Sequence, residues 1–173
     1  MRRIAFGLVA MAGLAGAVAG MAPVSGQSDG AAPIFGIRIP PGYRDWGLIS
    51  VAHEEGTLND LRAILGNDVA IKAARGGKPP YPDGTIIARL AWSYDPLAES
   101  AKAFGHPQSF VAGPPKNGVQ FMVKDSARYA ATGGWGFAQF NDGKPASAAV
   151  HETCFPCHST VGDRDFVFNR YAP

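Results

Sequence analysis

The sequence predicts an α+β domain in which an antiparallel sheet dominates. Two observations carry this. Several short runs rich in β-branched and aromatic residues are separated by Gly, Pro, Asn and Asp punctuation, and only a few segments have the composition of short helices. No internal repeat is present, and no low-complexity tract occurs outside the first residues.

Residues 1–26 are expected to be a signal peptide. Met1-Arg2-Arg3 is a short basic start, Ile4 to Ala22 is an apolar run rich in Ala and Gly, and Val24-Ser25-Gly26 offers the small residues a signal peptidase reads. A retained anchor is the alternative, but the run is near the lower limit of about 18–20 residues for a span. No other stretch is long and apolar enough to cross a bilayer. Export would bring the protein to the periplasm. Arg2 and Arg3 leave with the leader, so the 14 acidic residues face 14 of the 16 basic ones and the remaining chain has no net charge. That balance argues against nucleic acid or an anionic membrane as partner, since both need a concentrated basic field.

Residues 27–42 read as a small, polar linker ending in the turn Pro40-Pro41-Gly42-Tyr43, and residues 43–173 as one domain with its own core. Trp46 to Ala52 and Leu61 to Leu65 suit strands. Asp68 is expected to cap a helix over Val69 to Arg75 that Gly76-Gly77 stops. After the rigid turn Pro79 to Gly84 comes the strongest strand, Thr85 to Tyr94, apolar on both faces. A Pro- and Gly-rich loop is expected over Gly105 to Gly118, then a strand over Val119 to Lys124, a short helix over Ser126 to Ala131 and a strand over Trp135 to Phe140. Asn141 to Lys144 is a turn, Ala146 to His158 has the composition of a helix, and Phe166-Val167-Phe168 reads as extended.

Cys154-Phe155-Pro156-Cys157-His158 is a C-x-x-C-H pattern, the attachment signature of c-type haem. Cysteines three residues apart share one side of a helical turn, so both sulfurs reach the two vinyl groups of one porphyrin, and His158 follows as proximal iron ligand. Three other uses of the motif compete. A Cys154–Cys157 disulfide would close a very small, strained loop. A thiol-redox pair normally sits near a βαβ pattern, which is missing here. A structural zinc site would need a fourth ligand. The absence of any other cysteine and the export signal favour one covalent haem c.

The sixth iron position then decides function. Met122 is the only methionine outside the leader, and it alternates with Phe121 and Val123 in a strand, as a gap-filling core residue would. His53, His106 and His151 sit beside polar or turn residues and read as surface histidines. An open distal site is the favoured reading.

The chain resembles the P-460 cytochromes and their relatives, the β-type cytochromes c-prime, over residues 43–173. The resemblance rests on Tyr43-Arg44-Asp45-Trp46, Asp83-Gly84-Thr85, Val123-Lys124-Asp125-Ser126, Gly134-Trp135-Gly136-Phe137 and the C-x-x-C-H motif followed by Asp165 to Tyr171. It implies a mainly antiparallel fold, a homodimer and a five-coordinate haem with an open distal face. Hydroxylamine-oxidising members cross-link a lysine to the haem edge from the strand after the Asp-Gly-Thr turn. Arg89 stands at that position here, and a guanidinium that stays protonated is a poor substitute for an amine in forming that bond.

By the same resemblance Arg62 matches, across a one-residue gap, a distal arginine that would donate to bound nitric oxide, hydroxylamine or peroxide. Arg89 would pair with a propionate or polarise a ligand, or else be an ordinary sheet-edge arginine. Lys72 and Lys78 fall off the relevant strand, and Phe121, Phe137 and Trp135 are candidates for the apolar wall of the pocket. Three functions are therefore expected in descending order. The first is binding of a small nitrogen-oxide or diatomic ligand at an open haem. The second is oxidoreductase chemistry on hydroxylamine, nitric oxide or peroxide, with electrons passed to a partner cytochrome. The third is six-coordinate electron transfer.

Overall fold

The computed structural model describes residues 30–172, so the expected signal peptide lies outside the described residues. Six antiparallel strands follow one another across a single sheet in chain order: β1 (Gly47–Glu54), β2 (Asp60–Gly66), β3 (Ile86–Pro96), β4 (Phe110–Lys124), β5 (Trp135–Asn141) and β6 (Lys144–Pro145). Helix α1 (Asp68–Gly76) joins β2 to β3, α2 (Ala98–Phe104) joins β3 to β4, and α3 (Ala148–Glu152) and α4 (Cys154–His158) follow β6. The expected α+β class with a dominant antiparallel sheet is what the chain adopts.

Both faces of the sheet are covered, which explains why its central strand is apolar on both sides. Ala88, Leu90, Phe121 and Phe140 form one core, closed by Ala32, Ile37, Phe35 and Tyr43 from the chain ahead of β1. Ile49, Ile64, Ile87, Trp135 and Phe137 form the other, closed by Ala70 and Ala74 of α1 and by Cys154, Phe155, Phe166 and Val167. Part of the expected linker is thus structural, because Ala31, Ala32 and Ile37 are buried. Helix α1 sits tightly on the sheet because Gly66 lets it; a Cβ there would stand 2.7 Å from both Ala70 Cβ and Ile49 Cδ1.

Several local expectations are corrected. The cap of α1 is Asn67, one residue earlier than Asp68. Its side-chain oxygen accepts from Ala70 N at 3.0 Å and Ile86 N at 3.1 Å, while its amide donates to Gly84 O at 2.9 Å. A carboxylate has no hydrogen to give, so only the amide ties helix start and strand start together. The expected loop over 105–118 is mostly β4. Pro115 of β4 lies past the end of β5, opposite Trp92, and beyond the reach of β2 as well the two strands continue as a ribbon, with Tyr94 opposite Ala112 and Pro96 opposite Phe110. Proline survives there because the register is irregular and the outer edge has no ladder partner to lose.

The helix expected over Ser126 to Ala131 is a turn followed by a 3₁₀ segment, Ala130–Thr132. The single helix expected over Ala146 to His158 is two short ones, α3 and α4. Pro156 has no N–H to bond the carbonyl of Glu152, so the first helix cannot run through. Phe166 to Phe168 is not a strand, and Phe166 has φ 65°.

Asp83 fastens the turn before β3 to the turn after β4 by accepting from Ser126 N at 2.9 Å and Ser126 Oγ at 2.7 Å. These two hydrogen bonds hold its carboxyl below the ordinary carboxylate range. A depressed carboxylate adds stability above its unfolded pKa and loses it as pH falls through the folded one. Asp83→Asn is therefore expected to be slightly less stable than the parent at neutral pH, with the difference shrinking as pH falls below about 4 and through the lower folded pKa. Urea unfolding midpoints across that range check it.

Candidate functional site

Helix α4 carries the whole C-x-x-C-H motif and lies on the sheet face formed by Ile87, Met122 and Phe137. Phe155 anchors it, packing on Phe137 at 6.4 Å and on Phe166 at 5.7 Å between ring centroids. Cys154 is half-buried, Cys157 is exposed, and neither is in a disulfide. Burial, then the neighbouring Cys157, raises the pKa of the Cys154 thiol, which keeps it protonated.

His158 is wedged between Phe137, at 4.9 Å, and Phe168, at 5.2 Å. Its Nδ1 lies 2.7 Å from the backbone carbonyl of Phe166. A carbonyl only accepts, so the proton sits on Nδ1 and the lone pair on Nε2. Burial pulls the imidazole pKa down, against a smaller opposite effect of that hydrogen bond, so the ring is neutral. A neutral imidazole, orientated through one nitrogen and with a free lone pair on the other, is the state a metal ligand needs. Phe168, 43 % exposed, leaves an apolar ring uncovered beside it. Two unbridged thiols on the same short helix complete a donor set that fits an iron porphyrin. A zinc ion finds no such set: among the described residues no group of three or more His, Cys, Asp or Glu is gathered.

The other histidines and Met122 are committed elsewhere. His53 is exposed and bonds Tyr94 Oη at 3.0 Å, and His106 is exposed next to Pro107. His151 corrects the expectation of a surface histidine, being only 1 % exposed. Its Nδ1 donates to Ser147 O at 2.8 Å and its Nε2 accepts from Gln139 N at 3.1 Å, so it pins α3 to β5 and has no lone pair to spare. Met122 packs in the apolar core beneath Phe137. Lys72 and Lys78 are exposed on α1 and on the turn after it. Phe121 is on the opposite face from Phe137 and Trp135, so those three do not form one wall.

Arg62 and Arg89 are brought together. Period-two alternation puts Asp60, Arg62 and Ile64 of β2 and Ile87 and Arg89 of β3 on the face that carries α4. Strand β3 is central, so Arg89 is not at a sheet edge. Both arginines converge on Asp60, which sequence reasoning missed. Arg62 donates to it through Nε at 2.6 Å and Nη2 at 3.3 Å, Arg89 through Nη2 at 3.0 Å. Glu54 takes Arg62 Nη1 at 2.8 Å, and Arg89 Nη1 donates to Gln120 Oε1 at 3.2 Å, whose amide donates on to Gln139 at 2.7 Å. Burial, then the nearby Arg62, lowers the pKa of Arg89, an effect its carboxylate partners oppose. The signal was present in the sequence as Asp60-x-Arg62, two residues of one strand that must share a face.

The sequence profile of the family described as Cytochrome P460 matches residues 40–169. No curated protein matches the chain.

Asp60 is wholly buried and serves two cations, so neutralising it takes the paired carboxylate from Arg89 and leaves Arg62 with the more exposed Glu54 alone. Asp60→Asn is expected to cost about 3–5 kcal/mol of stability, the usual penalty for breaking a buried pair. Removing Glu54, whose side chain is 42 % exposed, should cost about 1 kcal/mol or less. Chemical denaturation of the two variants side by side checks the ranking.

Proposed function

Since this chain belongs to the cytochrome P460 family and is a haem-binding cytochrome, we propose that it carries one c-type haem, held by Cys154 and Cys157, with His158 as the proximal ligand and an open distal side that takes nitric oxide or a similar small ligand. The observation that carries this reading is the Nδ1–H of His158 locked onto the Phe166 carbonyl, which leaves Nε2 as the one free imidazole lone pair beside two unbridged thiols. When bound, the haem supplies an iron centre able to bind diatomic or nitrogen-oxide ligands and to change oxidation state.

The protein's own groups divide the remaining work. Cys154 and Cys157 would hold the porphyrin to α4 through thioethers, each thiol S–H adding across a vinyl group with the sulfur on one carbon and the hydrogen on the other. Phe137 and Phe168 hold the imidazole plane and keep water from its flanks. The engaged His53 and His151 and the core packing of Met122 support a vacant sixth position over a six-coordinate electron carrier. Arg62 and Arg89, fixed by Asp60, form a polar surface on the motif-bearing face, suited to a propionate or to a polar ligand on iron.

Hydroxylamine or nitric oxide oxidation with electrons passed to a partner cytochrome is the second reading. Arg89 at the cross-linking position weighs against it, because a protonated guanidinium is a poor nucleophile. The balanced charge of the chain after residue 26 favours a small ligand or a protein partner. Export to the periplasm and pairing as a homodimer belong to the same reading.

Two measurements test it. Haem should remain attached through denaturing electrophoresis in the parent, and Cys154→Ser with Cys157→Ser together should abolish that attachment. The reduced protein should show a high-spin Soret band that shifts on adding carbon monoxide. A low-spin spectrum indifferent to carbon monoxide would remove the open site, and a strongly red-shifted ferrous band would mean a cross-linked haem and overturn the reading of Arg89.

A further inference from the structure

The carbonyl that His158 grips belongs to a residue in an uncommon conformation. Asp165 and Phe166 are consecutive non-glycine residues with φ 52° and 65°, a left-handed pair that persists only where its surroundings impose it. The surroundings here are specific. Asp165, 8 % exposed, accepts from Lys124 Nζ at 2.7 Å through one oxygen and from Tyr81 N at 2.8 Å through the other. Lys124, 5 % exposed, also donates to Gly133 O at 3.1 Å and lies 5.0 Å over the Trp135 ring. Gly133 in turn makes room for Phe166, since a Cβ there would stand 2.2 Å from its ring.

Lys124 ends β4 and is held to the start of β3, donating its N–H to Thr85 O at 2.9 Å and accepting from Gly84 N at 2.9 Å. An unbroken series of short contacts therefore runs from the sheet through Lys124, Asp165 and the Phe166 carbonyl to His158 Nδ1.

We infer that Lys124 and Asp165 are positioning residues for the axial histidine: their buried ion pair aims the Phe166 carbonyl at Nδ1–H and so sets how strongly His158 donates to iron. The inference rests on His158 being the axial ligand, as proposed above. A hydrogen bond accepted from Nδ1–H gives the ring partial imidazolate character, which strengthens Nε2 as a donor and favours the ferric state. If the carbonyl swings away, that character is lost.

The experiment compares haem-loaded parent, Asp165→Asn, Lys124→Met and the conservative Lys124→Arg by resonance Raman spectroscopy of the ferrous form and by redox titration. Asp165→Asn keeps an oxygen for the Tyr81 N–H and replaces the one that accepts from Lys124 Nζ with an NH2, which removes both the charge and that hydrogen bond. In both charge-removing variants the iron–histidine stretching band is expected at lower frequency and the midpoint potential at a more positive value, with Lys124→Arg returning both towards the parent. Variants that unfold at lower temperature but keep the parental band and potential would reduce the pair to a structural staple and overturn the inference. Should a single variant fail to fold, the double variant Asp165→Asn with Lys124→Met leaves no charge unpaired and is judged by the same two readouts. A parent that holds haem without an iron–histidine band would instead sink the assignment of His158, so the two failures are distinguishable.

Discussion

The pairing register of β3 with β2 and β4 is the constraint on which the site depends. Ile64, Arg89 and Gln120 stand side by side across three strands, with Ile87, Met122 and Phe137 in the next row. Side chains alternate at every residue, so a slip of one position would turn Arg89 into the opposite core and bring Ala88 under α4. Two apolar faces pin that register: Ala88 and Leu90 are buried in one core while Ile87 is buried in the other. Polar functional groups can then be set between them at fixed spacing, because the cost of moving any one is the misplacement of the whole strand.

Most of this sheet was legible from the residues. The strand runs at Trp46, Leu61, Thr85, Val119 and Trp135 all appear as strands, because alternation and β-branched composition report burial on a pleated surface directly. What was hidden depends on partners distant in sequence. Strand β4 contains Pro114 and Pro115, which read locally as a loop and become tolerable only past the end of β5. Ala31 and Ile37 are small or isolated apolar residues among Pro and Gly, with no period to mark them as core.

The motif itself needed only five residues to be recognised, and yet its supporting groups were obscure for the same reason. Lys124 lies in a stretch that resembles other family members, but nothing local says that its ammonium is buried against Asp165, 41 residues on. Asp60 was closer to view, since it shares a strand face with Arg62. A histidine beside Glu152 and Thr153 looks solvated in sequence, whereas both nitrogens of His151 are spent on backbone groups at the start of α3 and on β5. Buried polar residues are identified by their partners, and the partners are set by the fold.

Helices α3 and α4 contain five residues each, far below the length at which a helix holds in water without tertiary support. Their order is borrowed from the sheet through His151 and Phe155, and the segment that follows is tied to the first strand by the hydrogen bond from Ala172 N to Ile49 O. These are non-local contacts, which form late because their loops must close first. The segment that carries Cys154, Cys157 and His158 therefore keeps its shape only while the strands are assembled, so that whatever loosens the sheet also loosens the two thiols and the imidazole.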